Sequence, residues 1–294
     1  MPDRLSAAID RHCLGTTSDT KVPRLSLISV DEPVEPSGQL YEPMICFVAA
    51  GAKRTTAGDL SLVAPAGEML LTTIDLPVDV SLETVPYRSA VLHLHGPSIA
   101  DLIVEMDDAA PVCAPAKAGH LKAPMTPELL EAVTRWVELL DAPGDIRLLA
   151  PRHESEILYR LLGSSLGPIL RQWSLADSTT SRVRDVARWI REHYTEPISV
   201  DMIASEARMS PASLHRHFKA TTGMSPLKYQ KQLRLQEARR RLAAGDSTAA
   251  QVAHAVGYVS PTQFNREYRS TYGRPPGQDA ARLRSRPTQA PARR

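Results

Sequence analysis

The sequence predicts an α+β chain in two parts: an antiparallel β-barrel or sandwich with following helices over residues 1–173, then an all-helical domain over 182–282. Three observations carry this. Short apolar runs recur from about Leu25 to Leu94, with turn residues between them, which is the texture of an antiparallel all-β unit. From Pro127 onward the apolar residues return at helical spacing instead. Finally, residues 1–180 hold 14 Lys/Arg against 24 Asp/Glu, a net −10, whereas residues 181–294 hold 21 against 9, a net +12. Such an asymmetry suggests that the second part meets a polyanion and the first does not.

Taken in order, a short helix is expected near Leu5–Leu14. The strand-sized runs are Leu25–Val30, Met44–Val48, Leu60–Val63, Met69–Ile74, Val78–Leu82 and Ala90–Leu94. Pro-Ser-Gly at 36–38, Ala-Gly-Asp at 57–59 and Pro-Ala-Gly at 65–67 separate them, and no helical segment lies between the runs, so parallel βαβ folding is disfavoured. After His95 the chain reads as helical. Pro97–Met106 is a short helix, Pro127–Asp141 carries Leu129, Leu130, Val133, Trp136, Val137 and Leu140 on one stripe, and His153–Trp173 repeats the pattern with a break at Pro168. These two apolar helices either cover the barrel or form a seam with a second copy of the chain. Residues 174–181 read as a linker and 283–294 as a disordered basic tail.

Composition excludes several classes. The chain has 294 residues, 43% of them hydrophobic and 23% charged, as in ordinary globular proteins. No apolar run approaches the ~20 residues of a membrane-spanning helix, and no secretory signal is visible. Cys13, Cys46 and Cys113 are too few and too scattered for a disulfide framework or a metal site. A reducing cytoplasm without a membrane partner is the expected setting.

The basic part contains an imperfect repeat of about 50 residues. One copy runs from Met202 through Ser210-Pro211 and Leu214…Phe218 to Gly223 and Pro226; the other runs from Gln251 through Ser260-Pro261 and Phe264…Tyr268 to Gly273 and Pro276. Each reads as two short helices joined by a tight turn. Ser210 and Ser260 suit N-cap positions, and the following prolines suit the first helical position, where a missing N–H costs nothing. With Leu214 and Phe218 buried, Ala212, His215, Arg216 and Lys219 share the outer face; with Phe264 and Tyr268 buried, Thr262, Asn265, Arg266 and Arg269 do so. A recognition helix in a DNA major groove needs this presentation of hydrogen-bonding and cationic side chains. Ser225–Ala244 reads as one long helix joining the two units.

Over about 182–280 these residues resemble the AraC family of bacterial transcription regulators. The carriers are Ile203-Ala204, Ser210–Pro226, Tyr229, the Leu233–Leu242 connector and Val256–Tyr268. The resemblance implies a double helix-turn-helix domain on duplex DNA, with base-reading side chains at Ala212, His215 and Arg216 and at Thr262, Asn265 and Arg266. It leaves RNA polymerase as a further candidate partner. Two positions depart from the family pattern: Arg208 stands where a turn glycine is usual, and Asp279-Ala280 where Tyr-Arg is common. Leu40–Gly51, Lys53-Arg54, Gly58-Asp59 and Ile74–Val78 resemble the cupin-like N-terminal domain of one branch, implying a small barrel that binds an unidentified small-molecule effector or assists dimerisation.

Competing chemistry finds little support. His93-Leu-His95 invites a cupin metal site, with both rings on one strand face, yet a third ligand is not evident and no metal or cofactor is expected. Neither a phosphate-cradling loop nor a nucleophile elbow occurs, so an enzyme is not expected. A membrane-surface protein using the basic face would leave the capped repeat unexplained. Cys46 is read as a buried small hydrophobe or, alternatively, as an effector-binding thiol that senses oxidants or reactive carbonyls. That role needs a thiolate-favouring neighbour such as Lys53 or Arg54 brought close by the fold.

Overall fold

The computed structural model describes residues 2–34, 36–106, 119–174, 179–245 and 247–284. Helix α1 (Pro2–His12) precedes seven strands: β1 (Thr17–Asp19), β2 (Leu25–Val30), β3 (Ser37–Tyr41), β4 (Met44–Ala57), β5 (Leu60–Pro65), β6 (Glu68–Thr72) and β7 (Leu76–His93). Helix α2 (Gly96–Glu105) and strand β8 (His120–Pro124) follow, then α3 (Pro127–Glu138), α4 (Ile146–Leu162) and α5 (Gly167–Ser174). The sheet is wholly antiparallel, in the order β1-β2-β7-β4-β6-β8, with β3 also on β7 and β5 also on β4. It curls as the barrel reading requires but does not close, since β1 and β8 stand at its two ends.

Several expectations change in detail. The runs at 78–82 and 90–94 belong to one strand, β7. Pro86 lies where the register against β4 jumps from Ala52↔Thr84 to Ala50↔Arg88, so no ladder bond to β4 is asked of it. The region after His95 is not all helix, because β8 returns to pair with β6. The second long helix begins at Ile146 and carries Pro151 inside it; the break before Pro168 holds, with α5 starting at Gly167. The expected linker shortens from its far side, α6 (Thr179–Glu192) beginning inside it, while residues 175–178, Cys113 and the tail beyond 284 lie outside the described residues.

Strand alternation divides the sheet into two buried faces. Leu27, Ile45, Phe47, Met69, Leu71, Ala90 and Leu92 face α1, α3, α4 and α5, and meet Leu129, Val133, Trp136 and Leu161 in one core. The apolar stripes of α3 and α4 are therefore taken up by the sheet, while Leu148, Leu149 and Tyr159 of α4 stay exposed. The opposite face, with Cys46, Val48, Leu70, Val78, Tyr87 and Val91, shares a second core with Val186, Ile190, Leu214, Phe218 and Tyr229 of the helical domain. A third core, around Leu235, Val252, Phe264 and Tyr268, holds the end of the chain together.

Candidate nucleic-acid interface

After α6, the helices are α7 (Val200–Glu206), α8 (Pro211–Thr222), α9 (Pro226–Ala244), α10 (Ala249–Ala255), α11 (Pro261–Tyr272) and α12 (Pro276–Arg284). In the first unit the Ser199 hydroxyl accepts from the Met202 N–H at 3.2 Å and caps α7. The chain turns through Arg208, and the Ser210 hydroxyl then caps α8 by accepting from the Ser213 N–H at 3.3 Å, with Pro211 in the first turn. Leu214 and Phe218 are fully buried, and Phe218 meets Tyr229 edge-on. That fixes the roll of α8, so Ala212, His215, Arg216 and Lys219 all face solvent.

The second unit repeats this construction. Thr248 and Gln251 form a reciprocal capping box on α10. Ser260 caps α11 by accepting from the Gln263 N–H at 3.3 Å. Phe264 and Tyr268 are fully buried, leaving Thr262, Asn265, Arg266 and Arg269 exposed. Gly223 and Gly273, both with left-handed backbone, end α8 and α11 in the same way. Ten sequence-predicted residues thus fall into two matching sets, with Ser210 and Ser260 as caps and the other eight on outward faces.

Both departures from the family pattern have a structural outcome. Arg208 adopts the left-handed conformation, φ 50°, that favours glycine, whereas the corresponding turn in the second unit has Gly257 at φ 89°. A side chain at 257 would strike the Thr195 carbonyl, 2.1 Å from the Cβ position. Asp279 is wholly buried and accepts from Arg239 Nε at 2.9 Å, the Tyr268 hydroxyl at 2.9 Å and Arg282 Nη2 at 3.0 Å. It seats α12 against α9 and α11, so this non-consensus residue locks the last helix.

Helix α9 ties the two units together. Gln230 and Arg234 both donate to the Tyr194 and Glu196 carbonyls just beyond α6, at 2.6–3.0 Å. The same helix contacts the N-terminal sheet. The Tyr229 hydroxyl donates to the Asp75 carbonyl at 2.6 Å, and Gln236 Nε2 donates to the Val78 carbonyl at 3.1 Å.

One contact reaches the reading helix itself and was not foreseen from sequence. The β4–β5 turn lies against the end of α8, where the Asp59 N–H donates to the Gly223 carbonyl at 3.1 Å. The Asp59 carboxylate stands 3.4 Å from Lys219 Nζ and 3.6 Å from Lys228 Nζ, and these cations hold it below the usual carboxylate range, Lys219 chiefly. Asp59 and Leu60 form one wall of a groove whose other wall carries His215, Arg216 and Lys219.

The metal reading of His93 and His95 fails on geometry. His95 lies beyond β7 as the N-cap residue of α2, with Nδ1 3.0 Å from the Ser98 hydroxyl, while His93 Nε2 meets Ser26 Oγ at 3.0 Å. Among the described residues no group of three potential ligands could hold a metal ion. Cys46 is fully buried on the sheet face toward the helical domain, and the cation it was expected to need is present: Lys53 Nζ lies 3.3 Å from its Sγ. Arg54 instead pairs with Glu83 at 2.6 Å.

The molecule is thus an antiparallel sheet packed on two capped helix-turn-helix units. The comparisons with known proteins agree. The model of the AraC-type transcriptional regulator N-terminus matches residues 21–169, and that of a helix-turn-helix domain matches 203–282. The chain belongs to the AraC family of transcriptional regulators. The transcriptional activator RhaS of Escherichia fergusonii is 30% identical over 162 residues, 52% of this chain and 55% of that protein. RhaS of Pectobacterium carotovorum is 31% identical over 105 residues, 36% of this chain and 38% of that protein. The chain thus spans about half or less of these relatives' length. Among solved structures, apo ToxT K231A of Vibrio cholerae aligns over 90% of this chain and 99% of its own, with a TM-score of 0.53 at 13% identity. ToxT with a bound unsaturated fatty acid aligns over 87% and 93%, with a TM-score of 0.54 at 11% identity. At these identities the likeness is one of fold. No described helix is long and apolar enough to cross a membrane.

Proposed function

We propose that the chain binds specific duplex DNA through α8 and α11 and regulates transcription there, with residues 1–173 as the sensing unit, 174–181 as linker and 182–282 as the reader. The observation that carries this is the duplicated presentation: two capped helices with matched buried stripes turn His215 and Arg216, and Asn265 and Arg266, outward. Arg pairs bidentately with guanine and Asn with adenine. Lys219 and Arg269, a turn further on, suit phosphate, which gives affinity without sequence choice. Transcription control at such a site adds RNA polymerase as a partner. The charge division and the family membership support a reducing cytoplasm as the setting.

The sensing unit supplies a competitor for phosphate. Asp59 occupies Lys219 and Lys228, two cations a DNA backbone would otherwise meet. An effector that loosens the sheet from α8 and α9 would release them. ToxT, of like fold, is known with a bound unsaturated fatty acid, which supports a small-molecule effector here, and Cys46 with Lys53 lies on the sheet face nearest the reader.

Arg216→Ala and Lys219→Ala, measured on a selected site and on random duplex across a salt series, test this reading. Arg216→Ala is expected to cost about 1–3 kcal/mol on the specific site alone and to relax preference at one position. Lys219→Ala, made in an Asp59→Asn chain where that cation is free for phosphate, is expected to weaken both duplexes alike and to lower the salt slope by about one. Equal weakening by Arg216→Ala on both would reject it as a base reader.

A further inference from the structure

Cys46 and Lys53 share strand β4, seven residues apart, where a regular strand would hold them on opposite faces and roughly 23 Å apart. They touch because β4 turns a corner between them. The register against β7 shifts three times, between Val48 and Ala50, Ala50 and Ala52, and Ala52 and Lys53. Gly51, at φ 71°, allows the Thr84 and Pro86 carbonyls to approach within 2.5 and 2.6 Å of its Cβ position, which no other residue would tolerate. The irregularities reverse the alternation, and both side chains point to the face shared with the helical domain.

The surroundings of this pair are apolar and aromatic. Lys53 is 2% exposed, no carboxylate pairs with it among the described residues, and its Nζ lies 5.3 Å from the centre of the Tyr41 ring and 5.7 Å from that of Tyr87. The Tyr87 hydroxyl stands 3.6 Å from Cys46 Sγ. His120, within the field of Lys53, is 2% exposed and its Nε2 has no partner among the described residues. A buried ammonium is costly unless an anion faces it, and the group at contact distance from it is a thiol.

We propose that Cys46 and Lys53 form a reversible oxidative cross-link, a sulfur–nitrogen bond between Sγ and Nζ. The oxidant is hydrogen peroxide. In the first step the Cys46 sulfur takes one peroxide oxygen, giving a sulfenic acid and one water: the sulfur is oxidised and the peroxide reduced by two electrons. In the second, the uncharged Lys53 amine attacks that sulfur; the S–O bond breaks, hydroxide leaves with the amine's proton as a second water, and the S–N bond remains. Sulfenic acids condense in this way with backbone nitrogen, and a side-chain amine 3.3 Å away is a stronger nucleophile. Burial opposes the Lys53 charge, but the Cys46 sulfur first, with Tyr41 and Tyr87 after it, holds the ammonium well above the ordinary lysine range. Conversion of that sulfur to a neutral sulfenic acid removes the largest of these supports, so that burial favours the uncharged amine needed for the second step.

The test is peptide mapping of the full chain after mild peroxide treatment, with Cys13→Ser and Cys113→Ser introduced to remove competing disulfides. The expected result is a Leu25–Arg54 peptide lighter by two hydrogens, with no tryptic cleavage at Lys53 and no backbone fragments between 46 and 53. Thiol reductant should restore both the mass and the cleavage, and Lys53→Arg should leave Cys46 unlinked. Cys46 recovered as sulfinic or sulfonic acid beside a normally cleaved Lys53, or recovered unchanged, would overturn the proposal. Neither result depends on DNA binding, so it stands apart from the reading of α8 and α11.

Discussion

Replacement of Asp279 by alanine should release the last helix. Its carboxylate receives three donors, two of them guanidinium groups, and its side chain is 1% exposed. Removing one partner of a buried charge pair typically costs about 3–5 kcal/mol, because the survivors keep an unpaired buried charge. Here Arg239 and Arg282 retain 15% and 22% exposure, so water can reach both, and a loss near the lower end, about 3 kcal/mol, is expected. Against the 5–15 kcal/mol of a whole domain that is a large share. Urea unfolding followed by helical circular dichroism measures it. Tyr268→Phe alone should cost about 1 kcal/mol, and the double variant should fall short of the sum, because both changes remove one hydrogen bond. An Asp279→Ala chain within about 0.5 kcal/mol of the parent would refute the account of how α12 is held.

Further outcomes follow from single positions. Gly257→Ala should cost at least about 2 kcal/mol, since its Cβ would meet the Thr195 carbonyl, whereas Arg208→Gly should gain up to about 1 kcal/mol by relieving a left-handed backbone. Thermal unfolding of the two variants should therefore move in opposite directions; movement in the same direction would contradict the comparison of the turns. Burial, with the charge of Lys53 adding to it, holds His120 down at about 4, below an unfolded value near 6.5. The unfolded chain binds the extra proton, so stability should fall as pH drops from about 6.5 towards 4, by up to about 3 kcal/mol for this group. His120→Gln should flatten that part of the pH profile, and an unaltered profile would rule His120 out as its source. Asp59→Asn should tighten binding to any duplex and raise the salt slope by up to about two, the number of cations released; unchanged binding would show that the turn does not compete with phosphate.

Much of the reader was legible because its signals are local. Caps, N1 prolines and the four-residue spacing of Leu214–Phe218 and Phe264–Tyr268 act within one or two turns, and the structure reproduces them. The sheet was legible where apolar runs were long, as in β2 and β6. Strand β1 is only three residues and β3 is largely polar, so neither carries a strand signature. Strand β7 read as two because Glu83–Arg88 interrupts its apolar pattern at the register jump against β4. The meeting of Asp59 with Lys219 joins residues that no spacing rule connects. The Cys46–Lys53 contact needed a strand corner that reverses side-chain parity, and Gly51 was its one visible trace.

The most direct test of the whole account is selection of genomic DNA fragments by the purified chain at two salt concentrations. The account predicts a recovered motif with two submotifs about one helical turn apart, retained at the higher salt while unrelated fragments are lost. Binding that falls with salt alike on all fragments and yields no motif would contradict it, leaving α8 and α11 as a merely basic surface.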